Sequence, residues 1–192
     1  MKKKSTGKTF IAILIMALFV GGAFYIVANR SERIAEAQSA KMTAVQEVLS
    51  RNLETNYPAS PREVVKYYSE ISRCFYGEEY SDEELESLAA KSREVFDDEL
   101  VANQTDEQYL AALKIDIAAN KEDKKTISSF SVSSSTDVEY YDFQGDEWAQ
   151  LYCFYTFRVS SVIQTVQEKY LLRKDENGHW KIFGWKLVED VN

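Results

Sequence analysis

An uninterrupted apolar run near the N-terminus constrains this chain more than any other feature. Residues 10–28 read FIAILIMALFVGGAFYIVA and contain no charged residue and no proline. A helix of this length rises roughly 28 Å, close to the ~30 Å thickness of the hydrocarbon core of a bilayer. Because a single segment crosses lipid only as a helix, we expect residues 10–29 to be a transmembrane helix.

The charges on either side of this run predict its orientation. Four lysines precede it, whereas Arg30, Glu32 and Arg33 follow it. The positive-inside bias therefore predicts a cytoplasmic tail over residues 1–9 and a C-terminal part outside the cell membrane. A cleaved signal peptide and a helix buried in a water-soluble protein are the alternatives. The run is longer than the apolar core of roughly 7–15 residues that signal peptides usually have.

Composition excludes several classes of function for the rest of the chain. The 18 basic and 31 acidic residues beyond residue 30 give that part a formal charge of −13. We therefore expect no nucleic-acid partner, because nucleic acid needs a basic face. The chain has two cysteines, Cys74 and Cys153, and one histidine, His179. Their spacing matches no metal-binding motif, so we expect no metal and no cofactor. The cysteines are either a disulfide or two buried thiols.

Beyond the apolar run, the sequence predicts a linker and one domain. Residues 30–57 are charged and rich in alanine, with apolar residues at roughly helical spacing, and we expect a juxtamembrane helical linker. Residues 58–192 are enough to form a single core. Three capping boxes predict three helices at the start of this domain: Ser60-Pro61-Arg62-Glu63, Ser81-Asp82-Glu83-Glu84 and Thr105-Asp106-Glu107-Gln108.

The second half of the domain alternates with period two, which is typical of β-strands. Four strands are expected, beginning near Thr126, Trp148, Thr165 and Trp180, and Asn177-Gly178 predicts a hairpin between the last two. On the last strand, we expect Trp180 and Ile182 to point into the core. Helices followed by an antiparallel meander predict an α+β fold, with helices packed on a curved sheet.

Three segments carry a resemblance to a known family: SPREVVKYYSEISRCFY, REVFDDEL and DENGHWKIFGW. Over residues 60–189 the chain resembles the nuclear transport factor 2-like superfamily, whose α+β fold is cone-shaped. The whole chain is also similar to small membrane-anchored proteins of Gram-positive bacteria with this fold. The resemblance implies a pocket between the first helix and the concave sheet face. Its expected lining residues are Tyr68, Tyr155, Glu168 and Tyr170; alternatively, the tyrosines fill the core and the glutamate is solvated.

The other face of the sheet predicts an interface. If the strands alternate strictly, Tyr152, Phe154, Phe183 and Trp185 form an aromatic patch there, whereas a solvent-facing side is normally polar. The third helix, the juxtamembrane helix, a second copy or another protein could cover that patch. Alternatively, a β-bulge at Gly184 turns Trp185 inward.

Together these features favour a non-catalytic role. We expect a membrane-anchored protein, crossing the membrane once, whose extracytoplasmic domain binds or assembles with a partner. A tethered small-molecule-binding or enzymatic cone is the first alternative, and a scaffold component of a secretion-type envelope complex is the second. An open cavity with convergent polar groups would favour ligand binding, and a filled cone would favour assembly.

Overall fold

The computed structural model of the chain describes residues 42–188, in which α-helices precede β-strands. The helices are α1 (Ala44–Leu49), α2 (Pro61–Gly77), α3 (Asp82–Glu94), α4 (Asp98–Ala102) and α5 (Asp106–Glu122). The strands are β1 (Lys125–Val132), β2 (Glu139–Phe143), β3 (Asp146–Val159), β4 (Val162–Lys174) and β5 (Trp180–Leu187). This order is the α+β arrangement that the sequence predicts.

The three predicted helix starts are confirmed. At Ser81 and Thr105 the cap side chain accepts from the third helical N–H, and the side chain of that third residue accepts from the cap N–H. At Ser60 only the first of these bonds forms, because the Glu63 carboxylate accepts from the N–H of Ala59 instead. Each bond satisfies a backbone N–H that the helix itself leaves free.

Strand β3 is the centre of the antiparallel sheet. It pairs along most of its length with β4, while its first half pairs with β2 and its second half with β1; β5 follows on the far side of β4. The strand expected from Thr126 is thus broken into β1 and β2. A short 3₁₀ turn, Ser135–Asp137, separates them, capped by Ser134, whose hydroxyl accepts from Thr136. Serine side chains favour such turns over extended backbone.

The core lies between α2 and one face of the sheet. Helix α2 buries Val64 and Ile71 completely, and the sheet face buries Leu151 and Leu172 completely. Both Trp180 and Ile182 are in the same core, as the sequence predicts. Both cysteines are buried and free, so they belong to the apolar core and form no disulfide.

The membrane part of the fold prediction needs correction. None of the helices within residues 42–188 is long and apolar enough to cross a membrane. The predicted span over residues 10–29 and the tail over residues 1–9 lie outside the described residues. Within residues 42–188 the fold is α+β with a curved antiparallel sheet and includes no helix able to span a membrane.

The juxtamembrane helix is also corrected. Of the predicted linker, residues 42–57 are described, and they contain only the six-residue α1 followed by turns. Val45, Val48 and Leu53 are buried in the core, and the Tyr67 hydroxyl donates to the Val48 carbonyl at 3.2 Å. The domain boundary therefore moves from residue 58 to Thr43, where the chain divides into two units.

An ion pair joins the turn between α3 and α4 to the sheet. The segment from Val95 to Asp97 runs beside β5, where Ile182 donates to the Val95 carbonyl at 2.8 Å and accepts from the Asp97 N–H at 2.9 Å. Arg173 of β4 donates two hydrogen bonds to the buried Asp97 carboxylate, at 2.6 and 3.0 Å, and one to Glu99 at 2.8 Å. Such paired bonds are strong because both groups are charged.

Removing one partner of this pair should be costly. Arg173→Met leaves the Asp97 carboxylate, only 4 % exposed, without its cation, and we expect a loss of about 3–5 kcal/mol in the free energy of unfolding. Arg173→Met with Asp97→Asn should recover much of that loss, since asparagine carries no charge and can still accept from the N–H of Glu99. Chemical denaturation measures both. Lys174→Met is the control: its partner Glu147 is exposed, and we expect a loss below about 1 kcal/mol. If Arg173→Met and Lys174→Met lowered the free energy of unfolding equally, the buried Arg173–Asp97 pair would stabilise the fold no more than the exposed Lys174–Glu147 pair.

The position of α1 and its turn gives a second prediction. Leu53→Ala should lower the free energy of unfolding by about 2–5 kcal/mol, because a buried leucine leaves a cavity when it is truncated. Met42→Ala, at a side chain that is 51 % exposed, should change it by less than about 0.5 kcal/mol. Thermal or chemical unfolding of the full-length chain measures both. If Leu53→Ala behaved like Met42→Ala, this segment would not be part of the domain.

Candidate functional site

A cavity of about 320 Å³ opens between helices α2 and α5 and the inner face of the sheet. It brings together all four residues that the sequence predicts as pocket-lining: Tyr68, Tyr155, Glu168 and Tyr170. The structure adds residues that the sequence analysis did not assign to it: Ser72, Tyr76, Asp116, Asn120, Lys125, Ile127, Phe157 and Trp185.

Regular periodicities place these side chains. On α2, Tyr68, Ser72 and Tyr76 are four residues apart and form one stripe along the helix. On α5, Asp116 and Asn120 have the same spacing. On the strands, residues two apart share a face, which is how Glu168 and Tyr170 reach the cavity together. The stripe on α2 is a signal that could have identified Tyr76 from the sequence, whereas nothing local singles out Asp116.

Trp185 lies at the cavity because β5 contains a bulge. Leu171 pairs with Gly184 and Leu172 pairs with Ile182, so Phe183 is an extra residue opposite β4. This extra residue shifts the alternation and places Trp185 on the same face as Ile182. Its ring stacks on that of Tyr170, with 6.1 Å between centroids.

The predicted interface is therefore divided. Trp185 lines the cavity and also borders a second pocket with Phe183 and Lys169. The outer face keeps Tyr152, Phe154 and Phe183. Two of these three side chains are covered by cations of the same sheet. The Arg173 guanidinium lies 5.2 Å from the Phe183 ring, and the Lys169 ammonium lies 5.7 Å from the Tyr152 ring. Phe154 is 39 % exposed.

Aromatic rings form one wall of the cavity. The Tyr68 ring lies 5.3 Å from Trp185 and 5.4 Å from Phe96, and Phe96 lies 5.7 Å from Trp185. Phe96 belongs to the segment that Asp97 and Arg173 hold beside β5. The ion pair described above therefore also positions the residue behind this wall.

A row of hydrogen-bonding groups runs from the core to the cavity. The Ser69 hydroxyl donates to the Val65 carbonyl at 2.8 Å. Ser69 also contacts the Tyr155 hydroxyl at 2.7 Å, and Tyr155 contacts the Tyr170 hydroxyl at 2.8 Å. The Tyr170 hydroxyl lies 2.7 Å from the Glu168 carboxyl. The three hydroxyls supply three protons for these four contacts, and an ionised carboxylate only accepts. One contact therefore lacks a proton unless Glu168 is itself protonated.

The ionisation of this row follows from its burial. Burial raises the pKa of the Glu168 carboxyl above its ordinary value, and the hydrogen bond from Tyr170 opposes that rise. Burial also raises the pKa of the Tyr155 and Tyr170 hydroxyls, so both are neutral near pH 7. The Cys153 thiol, 3.4 Å from Ser69, has a raised pKa for the same main reason. The site thus offers no ready nucleophile.

The carboxylates of the cavity do not form a metal centre. Each accepts from a tyrosine: Glu168 from Tyr170, and Asp116 from Tyr76. Across residues 42–188 there is no group of three or more histidine, cysteine, aspartate or glutamate side chains placed to hold a metal ion.

Comparison with known proteins assigns the chain to one family. The family model described as a domain of unknown function (DUF6715) matches residues 1–185. No match was found among curated proteins. The resemblance to the nuclear transport factor 2-like superfamily stays a prediction.

The proton count predicts that Glu168→Gln stabilises the fold at neutral pH. The glutamine amide can supply the fourth proton and carries no charge into the buried site. Folding raises the pKa of Glu168, so the wild-type carboxyl stabilises the fold fully below its unfolded pKa. That contribution is lost as the pH rises through the folded pKa. The gap in Tm between variant and wild type should therefore widen from acidic to neutral pH.

Thermal unfolding over this pH range checks the prediction. Glu176→Gln, on the exposed hairpin, is the matched control and should follow the wild type at every pH. A Glu168→Gln variant less stable than wild type throughout would show that the ionised carboxylate supports the fold.

Proposed function

The chain belongs to the DUF6715 family, and we propose that its domain from Thr43 onward is a non-catalytic binding module for a small organic ligand. The observation that carries this proposal is the cavity of about 320 Å³, in which polar groups from five elements converge among aromatic rings. Ligand sites are typically cavities of about 300–1,000 Å³ in which a few placed polar groups fix the orientation of the ligand. At the lower end of this range, the ligand is about the size of one ring or a short chain. The lining of this cavity is richer in polar groups than that of most such sites.

The chemistry of the site favours binding over catalysis. The hydroxyls of Tyr155 and Tyr170 are held in the row that ends at Glu168, and their raised pKa values keep them protonated. A general base or nucleophile needs a pKa near the working pH or an activating partner. Neither Cys153 nor these tyrosines meets that condition. The Glu168 carboxyl is the group of this row whose pKa is shifted towards neutral, and within residues 42–188 no activated nucleophile lies beside it.

Assembly through the outer sheet face is the second candidate function. Tyr141, Phe143 and Phe154 expose 41 %, 53 % and 39 % of their side chains on strands β2 and β3. A protein partner or a second copy could cover them. The support for this candidate is weaker than the sequence alone indicates, because Trp185 lines the cavity.

The location of the domain rests on residues outside the described part of the chain. The lysines before the apolar run and the arginines after it predict that the domain lies outside the cell membrane. The cavity gives no separate support to the two other roles, an enzymatic cone domain and a scaffold component of a secretion-type envelope complex. Both stay alternatives.

Closing the cavity mouth tests the proposed function. Asn120→Trp places a bulky ring at the lining of the cavity, whereas Ala119→Trp puts the same ring on the adjacent, exposed position of α5. Small neutral, anionic and cationic organic fragments are screened against the full-length chain by ligand-observed NMR. Fragments that bind the wild type should bind Asn120→Trp at least about tenfold more weakly, a difference of about 1.4 kcal/mol.

The control defines the outcome. Ala119→Trp should retain the binding of the wild type. If no fragment binds, or if the fragments that bind do so equally well to Asn120→Trp, the cavity is not a ligand site.

A further inference from the structure

The charge distribution of the cavity indicates the class of its ligand. Resting on the proposed ligand-binding function, we infer that the ligand is a small organic ammonium ion. Its positive charge lies beside the Glu168 carboxylate and against the aromatic wall formed by Tyr68 and Trp185.

Both carboxylates at the cavity lack a cationic partner. None of the ion pairs formed within residues 42–188 includes Glu168 or Asp116. Each accepts only from a neutral tyrosine hydroxyl. The cation that lines the cavity, Lys125, lies 4.4 Å from the Phe157 ring centroid and is thus held by an aromatic face instead. Asp116 is exposed, whereas Glu168 is part-buried. A part-buried carboxylate without a cation is costly, and a ligand cation removes that cost.

The proton count strengthens this requirement. When Glu168 is ionised, the row from Ser69 through Tyr155 and Tyr170 has one contact without a proton. The row therefore shifts Glu168 towards its protonated form relative to an exposed carboxyl. A bound cation favours the ionised form, so binding and ionisation of Glu168 support each other.

The aromatic wall suits the same ligand. The ring centroids of Tyr68, Tyr170 and Trp185 lie within 6.1 Å of one another, and all three residues line the cavity. The faces of tryptophan and tyrosine rings attract ammonium groups, and alkylated ammonium ions are recognised by such rings in many sites. An anion would meet two carboxylates. A neutral apolar ligand would cover Glu168 without compensating its charge.

A pair of probes that share one shape isolates the charge. Choline is compared with 3,3-dimethylbutan-1-ol, its neutral carbon analogue, and phenyltrimethylammonium is compared with tert-butylbenzene. Binding to the full-length chain is measured by calorimetry and by the change in tryptophan fluorescence. We expect at least one ammonium probe to bind at least about tenfold more tightly than its neutral analogue. Asn120→Trp should abolish that binding.

Two variants test the named contacts. Glu168→Gln should reduce the preference for the cation about tenfold while leaving the neutral analogue unaffected, and the control Glu176→Gln should change neither. Trp185→Leu should also weaken cation binding, through loss of the ring face, and it serves as an independent test if Glu168→Gln does not fold.

The outcomes separate this inference from the proposed function. If neither ammonium probe binds more tightly than its neutral analogue, or if the preference survives both Glu168→Gln and Trp185→Leu, the ammonium assignment is overturned. Fragments of another class that bind and are sensitive to Asn120→Trp would then still support a ligand site. If no fragment of any class shows that sensitivity, the proposed function itself fails.

Discussion

The bidentate ion pair between Arg173 and Asp97 is the interaction on which the candidate site depends most. Asp97 is almost fully buried, so its carboxylate requires the guanidinium that Arg173 brings from β4. The pair holds the Val95–Asp97 segment beside β5 and so fixes where α3 ends and α4 begins. Phe96, in the middle of that segment, supports Tyr68 and Trp185. A charge pair near one side of the cavity thus sets the position of its aromatic wall.

The cavity contains a carboxyl group, that of Glu168, whose surroundings suit its protonated form better than its ionised form. The row of hydroxyls is fully satisfied only when Glu168 is protonated. The cation that lines the cavity, Lys125, lies over the Phe157 ring and forms no ion pair with the ionised carboxylate. A domain selected only for stability has no need of such a carboxylate. Local departures from the rules of satisfied polar groups are expected at functional sites, where a ligand completes the arrangement. This reasoning connects the stability of the fold to the proposed chemistry of the ligand.

The outer face shows how tertiary contacts change the meaning of an aromatic pattern. Read as strict alternation, Tyr152, Phe154, Phe183 and Trp185 form one patch. A single extra residue at Phe183 places Trp185 on the inner face of the sheet. On the outer face, the side chains of Arg173 and Lys169 lie over the Phe183 and Tyr152 rings. Arg173 serves two purposes here, since its guanidinium bonds Asp97 and also lies over the Trp148 and Phe183 rings. A bulge of this kind is set by pairing between β4 and β5, which sequence alternation alone does not encode.

The sequence by itself determined the local elements: the capping side chains at Ser60, Ser81 and Thr105 and the alternation of the strands. Those signals act over four residues or fewer, between side chains and their own backbone, so they can be recognised along the chain. Only the tertiary structure decided the packing of α1 into the core, the edge pairing of Val95–Asp97, the bulge in β5 and the arrival of Asp116 at the cavity. Each of these joins residues far apart in the chain, and their stability comes from burial and ion pairing that no short segment contains.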